Sequence, residues 1–579
     1  MEKNKDLFTA KMFRTLFWPA MASSLGWALS DMADAVGVGQ RLGATGLAAI
    51  SLILPVYMIN CMLAHGFGLG GSVLFSLHMS TGKEQEARRG FNSVALMALI
   101  FSSATAALGL VFMKQLLAVL GAGPAGTALY RATRRYLVVL VSSTPLFYMS
   151  NILNYYLRND NAERAAARGS VVGNLCDIAL NLLLVLVLGL GTMGAALATT
   201  LGQIISISIY LPAVLGKKSS LRPCSPGEGW AKTAMGCLKG GIASSVQYLY
   251  QMIFFLYCNN MLMRLGGENT VAVFDVIQNT SYLILYLYQG TARAMQPLLT
   301  TYSGERNRTG RRSTVKIGML SGILAGSVII IIIELFPGLI CSLFGVTETS
   351  IAAMTSTALR IYCVGAFFAG LNILYSNINE SCGREKTAFA IETCRGFIFL
   401  FASALVLSRF GIPAFWWLFF TTEFFTLIAY VLLRLKKSFA LPVIDEKRVM
   451  QRLAGGSAEQ VMDVCREADE FCEGWGADMK QTLLVDMVLE ELGMAILNHA
   501  MTREDGYLQI AIVAPEEGGF EIHLRDNGEA FDPFSLETEK AGSGNDFNMD
   551  AMGILMIRKK VKDFKYRHYH GFNTLVIKV

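Results

Sequence analysis

The chain has 579 residues, 53% of them hydrophobic and only 16% charged, against roughly a quarter charged in soluble domains. That composition excludes disorder, collagen and coiled coil, and eleven cysteines scattered without CxxC spacing argue against a secreted disulfide scaffold. The net charge of +6 is uneven: residues 1–440 carry 35 Lys and Arg against 19 Asp and Glu, and residues 441–579 carry 15 against 25. A basic apolar region therefore precedes an acidic, charge-rich one.

Up to about residue 435, apolar stretches of 20 or more residues alternate with short basic loops. About 20 apolar residues suffice to cross the hydrocarbon core. The pattern predicts twelve spans, near 13–36, 45–77, 91–113, 133–157, 166–188, 192–215, 240–264, 271–301, 314–336, 357–379, 388–408 and 412–434. The expected fold is a polytopic α-helical membrane protein of two six-helix halves, 1–215 and 240–435, joined by the loop 216–239. A linker, 436–454, leads to a small α/β sandwich at 455–579. The N-terminus and the loops after even spans hold about 25 Lys and Arg, and the loops after odd spans about 8. That asymmetry predicts a plasma-membrane protein with both termini in the cytoplasm. No cleavage site follows the first apolar run, so MEKNKDLFTAKMFR is not a signal peptide.

GGSVLFSLHMSTGKEQEARR at the end of span 2 and MQPLLTTYSGERNRTGRR at the end of span 8 form an internal repeat. Two six-helix halves are a transporter arrangement, with a small-molecule site between them. Within the spans lie Asp31, Asp34, Asp177 and Asp275. An ionised carboxylate in hydrocarbon costs roughly 2.5–3.5 kcal/mol on the mildest scale, so each must face the interior, be protonated or bind a cation. Asp31 and Asp34 share a helix face. Glu334, Glu392 and Glu423 fall nearer span ends and read as interfacial. Polar and aromatic residues on spans 7 and 8, Gln247, Tyr250 and Gln278, are candidates for lining a substrate cavity. GFGLGGS (66–72) reads as close helix packing, and His65 and His78 as packed or interfacial.

Three segments carry a family resemblance. DAVGVGQRLGATGLAAISLILPV (34–56), NLCDIALNLLLVLVLGLGTMGAALATT (174–200) and GTARAMQPLLTTYSGERN (290–307) resemble signatures of the multidrug and toxic compound extrusion (MATE) family. The resemblance implies export of organic cations or amphipathic compounds in exchange for H+ or Na+. It places the coupling acid on Asp34; Asp31, Asp177, Asn181 and Asp275 are the further candidates for cation coupling, and Asp275 departs from the family, whose span is usually apolar there. Span 5 departs from the family order, which is Asn and then Asp four residues later; here Asp177 precedes Asn181.

Beyond the linker the periodicity is that of a soluble domain. Two amphipathic helices (457–476 and 478–500), paired strands (506–514 and 520–528) joined by PEEGG, a third helix (549–561) and a final hairpin (563–579) are expected. LEELGMAILNHA (489–500), RDNGEAFDPF (525–534) and MGILMIRKKVKDFKY (552–566) resemble the three boxes of the Bergerat (GHKL) ATP-binding fold, in its anti-sigma-factor serine kinase branch. The resemblance implies ATP as a candidate ligand, with Asp526 and Gly528 at the adenine, Gly553 near phosphate, and Glu491 as the catalytic residue of any active kinase. The usual Mg2+-ligating Asn is replaced by Ala495, whose methyl cannot ligate a metal. Asn498 lies one turn on, and Gly542 and Gly544 could form a lid. No metal site is assigned.

The primary expectation is a secondary active exporter whose C-terminal domain regulates it. The rival is a membrane-anchored signalling protein whose C-terminal domain phosphorylates or docks a cytoplasmic regulatory protein. The expected partners are a small-molecule substrate, the lipid bilayer and such a regulator, with no nucleic acid.

Overall fold

The computed structural model describes residues 2–80, 83–160, 162–216, 219–304, 307–434, 446–454, 457–501, 506–515, 518–535, 549–569 and 572–579. Among them, nine helices are long and apolar enough to cross a bilayer. Ala128–Ser142 and Thr144–Asn159, bent by 52°, supply a tenth crossing. Two of the nine belong to helices too long for one crossing. Glu2–Ser80 has 79 residues and would run about 120 Å if straight, four times the hydrocarbon thickness. It breaks at Gly43, φ 58°. Trp230–Gly304 breaks in the same way at Gly267, φ 69°. A positive φ is cheap only for glycine, so these two residues make the sharp turns between spans 1 and 2 and between spans 7 and 8. The twelve expected spans are all present.

Two seams join the halves. Span 2 lies on span 7. There Ser51 Oγ donates to Asn259 Oδ1 at 3.0 Å, and Asn259 Nδ2 donates to the Ser51 carbonyl at 2.6 Å. Further along, a Cβ on Gly70 would stand 2.0 Å from the Cys237 carbonyl oxygen. The glycines of 66–72 thus let two backbones touch, as small residues do in membrane helix pairs. Close by, the His65 ring bonds Tyr155 Oη at 2.6 Å and packs edge-on against Tyr155 and Tyr248. Span 1 lies on span 8, with Thr9 Oγ1 and Tyr302 Oη 3.1 Å apart. At the far end of the bundle Gln40 Nε2 donates to the carbonyls of Ser342 and Leu343.

The C-terminal domain is a five-stranded antiparallel sheet in the order β1-β2-β3-β5-β4. The strands are β1 Val449–Ala454, β2 Leu508–Val513, β3 Glu521–Asp526, β4 Asp563–Tyr569 and β5 Phe572–Lys578. β1 falls inside the segment read as linker, yet it pairs with β2 from Val449↔Val513 to Ala454↔Leu508. One face buries Ile510, Ile512, Ile522, Leu524 and Leu575 against three helical segments. These are Ala458–Gly474, the run from Met479–Met487 through Gly493–His499, and Met549–Lys560. Alternate residues on β2 and β3, Gln509, Ala511, His523 and Arg525, are buried too. The second face is covered by the ends of spans 1 and 8. The Arg525 guanidinium lies 5.6 Å from the Tyr302 ring centre, and Lys11 Nζ lies 5.1 Å from that of Tyr507.

Candidate functional site

Asp34 stands on span 1, nine residues before the Gly43 turn, half-buried. Three spans converge on its carboxylate. Asn181 Nδ2 of span 5 donates to Oδ1. Tyr136 Oη of span 4 donates to Oδ2 at 3.1 Å, and Thr199 Oγ1 of span 6 reaches the same oxygen at 3.4 Å. All three donors are neutral. Asn181 is 1% exposed and ends the α-helix just before a π-helical stretch, Leu182–Val187. Gly37 makes room for it, since a Cβ there would lie 2.3 Å from Asn181 Oδ1. Tyr136 is also within electrostatic reach of Asp177 and Asp275. Of the predicted coupling residues, the structure brings Asp34 and Asn181 into direct contact, with Tyr136 on the same carboxylate. Asp31's side chain lies outside the described residues. Sequence reading missed Tyr136 and Thr199.

Asp275 is fully buried on span 8. Asn279 Nδ2, one turn on, donates to its Oδ2 at 3.1 Å and its carbonyl at 2.9 Å. Oδ1 has no hydrogen-bond partner among the described residues. The proposed cavity residues separate: Gln247 is exposed, Tyr250 packs on Phe397 at 4.6 Å, and Gln278 keeps a buried Oε1 without a hydrogen bond among the described residues.

The C-terminal half holds a second charged cluster that overturns one expectation. Glu423, read as interfacial, is 8% exposed. Arg395 Nη2 donates to its Oε1 at 2.9 Å, and Asn372 Nδ2 donates to its Oε2 at 2.7 Å. Arg395 lies in another π-helical stretch, Cys394–Ile398. A guanidinium 28 residues upstream, on the neighbouring span, is what allows the carboxylate inside. Glu392 and Glu334 differ from it: Glu392 is half exposed beside Arg395, and Glu334 keeps a buried Oε2.

In the sheet domain Asp526 is 1% exposed at the end of β3. Its Oδ1 accepts from Gly528 N at 2.9 Å and from Asn573 Nδ2 at 2.8 Å. Asn573 Oδ1 in turn accepts from Tyr566 Oη at 2.7 Å. Gly528 has no room for a side chain, since a Cβ would meet the Ala500 carbonyl at 2.2 Å. A carboxylate oriented so firmly suits recognition of an exocyclic amino group. Glu491 sits in a third π-helical stretch, Val488–Leu492, and its carboxylate fills the space that a Cβ on Gly553 would take. Ala495, at the position where the resembled fold carries a metal-ligating Asn, is buried, and Asn498 is exposed. Gly542 and Gly544 lie outside the described residues. Each of the three described π-helical stretches contains or directly follows a residue of these clusters, as such stretches often do at functional sites.

The MatE family profile matches residues 19–183 and 243–404, and the histidine kinase-like ATPase domain profile matches residues 456–579. An FAD transporter of Shewanella oneidensis is 21% identical over 374 residues, 63% of this chain and 80% of its own. The multidrug export protein MepA of Staphylococcus haemolyticus is 21% identical over 424 residues, 72% of this chain and 90% of its own. Among solved structures, an inward-facing multidrug resistance MATE transporter aligns with a TM-score of 0.63 at 22% identity, covering 71% of this chain and 94% of its own. The MATE multidrug transporter DinF-BH, solved as a complex, aligns at 0.57 and 24% identity, covering 75% and 97%.

Proposed function

This chain belongs to the MatE family, and on that premise we propose that it is a secondary active exporter of amphipathic or cationic compounds across the plasma membrane. It exchanges them for H+ or Na+ at Asp34, with its C-terminal domain as a nucleotide-responsive regulator in the cytoplasm. The observation that carries this reading is the grip of spans 4, 5 and 6 on the Asp34 carboxylate of span 1. An ionised carboxylate accepts all three bonds. A protonated one must donate from one oxygen, and a bound cation takes lone pairs from the donors. Loading Asp34 therefore loosens span 1 from its neighbours. Span 1 also forms one of the seams between the halves, so the change reaches the interface that must rock for access to alternate. The relative named as a multidrug export protein and the multidrug transporter DinF-BH support the substrate class.

Regulation is supported by the covered sheet face. Asp526, the proposed adenine-recognising residue, and Arg525 are adjacent on β3, and Arg525 lies over Tyr302 at the end of span 8. Nucleotide at Asp526 would bias that contact.

The test is export of a fluorescent lipophilic cation, read as its uptake into everted vesicles under an imposed proton or sodium gradient, with and without ATP. One gradient drives efflux in the wild type, and Asp34→Asn removes it. Gradient-driven efflux surviving in Asp34→Asn would sink the coupling role. ATP without effect on the wild type, or with equal effect in Asp526→Asn, would sink the regulatory one.

A further inference from the structure

At the far end of the N-terminal half lies a cavity of about 670 Å³ that none of the sites above uses. It opens where the end of span 3, the helix Met113–Leu120 and the start of Ala128–Ser142 meet. Lys114, Arg131, Arg134 and Arg135 line it, and Leu110 and Val111 form an apolar wall. No Asp or Glu occurs between Glu86 and Asp160. None of the four cations has an ion pair among the described residues. Arg131 Nη1 donates to the Gly126 carbonyl at 2.8 Å, which fixes that arginine over the loop. The N-terminus of a 15-residue helix, Ala128–Ser142, adds its positive end to the same place.

These residues sit at the edge of the bilayer. Val111 is 75% exposed and Val119 58%. The Val119 carbonyl accepts from Asn260, seven residues before the Gly267 turn, which places the cavity at the far end of the bundle. The loops after odd spans and the span ends beside them hold only about eight Lys and Arg, yet four of these converge here. Four like charges with no counter-charge repel one another, and freely solvated ones would spread apart. In this cavity they face a common concavity with a lipid-exposed apolar wall.

We propose that this cavity binds the phosphate headgroup of an anionic amphiphile. The planar forks of the arginines suit two phosphate oxygens at once, and Lys114 adds a point charge. The apolar remainder of the ligand runs along Leu110 and Val111 toward the hydrocarbon. The shared chemistry is a phosphate; its sources are a membrane phospholipid or a free phosphate.

The test uses the purified full-length protein in detergent and native mass spectrometry. Dioctanoyl phosphatidylglycerol, dioctanoyl phosphatidylcholine and inorganic phosphate are added separately and in competition. The wild type retains phosphatidylglycerol at least about tenfold over phosphatidylcholine, and Arg131→Gln/Arg134→Gln/Arg135→Gln loses that preference. Arg131→Lys/Arg134→Lys/Arg135→Lys keeps much of it, and melting curves of both variants verify the fold. Should the triple Gln variant melt early, the single Arg135→Gln reads a smaller loss in the same direction. Displacement by excess inorganic phosphate supports the site with free phosphate as its source, and resistance to it supports the lipid source. Equal retention of the two lipids by the wild type, or unchanged preference in folded Gln variants, overturns the proposal.

Discussion

In the N-terminal half Asp34 is held by neutral donors from spans 4, 5 and 6, whereas in the C-terminal half Glu423 is held by the guanidinium of span 11. Both carboxylates sit within the membrane region, and both are tied to neighbouring spans. The difference is what happens when a cation arrives. Around Asp34 the donors from spans 4, 5 and 6 are neutral, so a proton or Na+ can take the place of hydrogen-bond donors. Around Glu423 the arginine already supplies the cation and cannot give up its own proton. The comparison teaches that an acid in oil is a candidate for exchange only when its partners are neutral. The paired acid instead fastens spans 10, 11 and 12 together.

Four substitutions and one acid titration would break or sharpen that division. Arg395→Met leaves a buried carboxylate without its cation and should cost about 3–5 kcal/mol of stability, read as a lower melting temperature. Arg395→Met/Glu423→Leu should recover most of the loss and still export. Efflux abolished in that double variant at normal stability would break the division. Tyr136→Phe removes one of three donors to Asp34. A hydrogen bond to a charged group contributes roughly 1.5–3 kcal/mol and holds the ionised, unloaded carboxylate, so the affinity for the driving cation should rise by about ten- to a hundredfold, with melting nearly unchanged. Ala495→Asn restores a metal-ligating side chain and should make ATP binding by the full chain Mg2+-dependent by a factor of several, measured by calorimetry.

The smallest effect concerns Glu521. The His523 imidazole, with Nε2 3.8 Å from its carboxylate, and Lys578 Nζ at 3.3 Å hold its carboxyl down to about 2 against the opposing effect of burial. The folded value is depressed, so its contribution is complete above about 4.3, the ordinary Glu value, and is lost as pH falls through about 2. Solvent screening keeps this below about 1 kcal/mol. Acid titration of the melting curve should show a slope in the wild type that Glu521→Gln flattens.

Hydropathy makes much of the site legible. A lone acid in an apolar run is conspicuous, so Asp34, Asp177 and Asp275 stand out from the residue order alone, and the twelve spans follow from the same pattern. Tyr136 and Thr199 do not stand out, because phenols and hydroxyls are common in spans and cost little there. Glu423 lies at the middle of the predicted span 412–434, so hydropathy itself does not make it interfacial; what the residue order does not contain is its pairing with Arg395 on the neighbouring helix. β1 reads as linker because Arg448 and Arg452 give it the look of a charged connection, although Val449 to Ala454 pair fully with β2. In the ATPase-like domain the residue order puts Ala495 where the resembled fold carries an Asn. The packing of Glu491 against Gly553 needs three dimensions.

Cation release on substrate binding tests the account most directly. Purified protein is mixed with a lipophilic cation in weak buffer, and released protons are followed with a pH dye or displaced Na+ with a sodium electrode. By linkage, a substrate that competes with the coupling ion must expel it. The wild type and the Arg395→Met/Glu423→Leu variant should each release about one cation per substrate bound, and Asp34→Asn none. Undiminished release from Asp34→Asn, or release lost only when the Arg395–Glu423 pair is removed, would contradict the account.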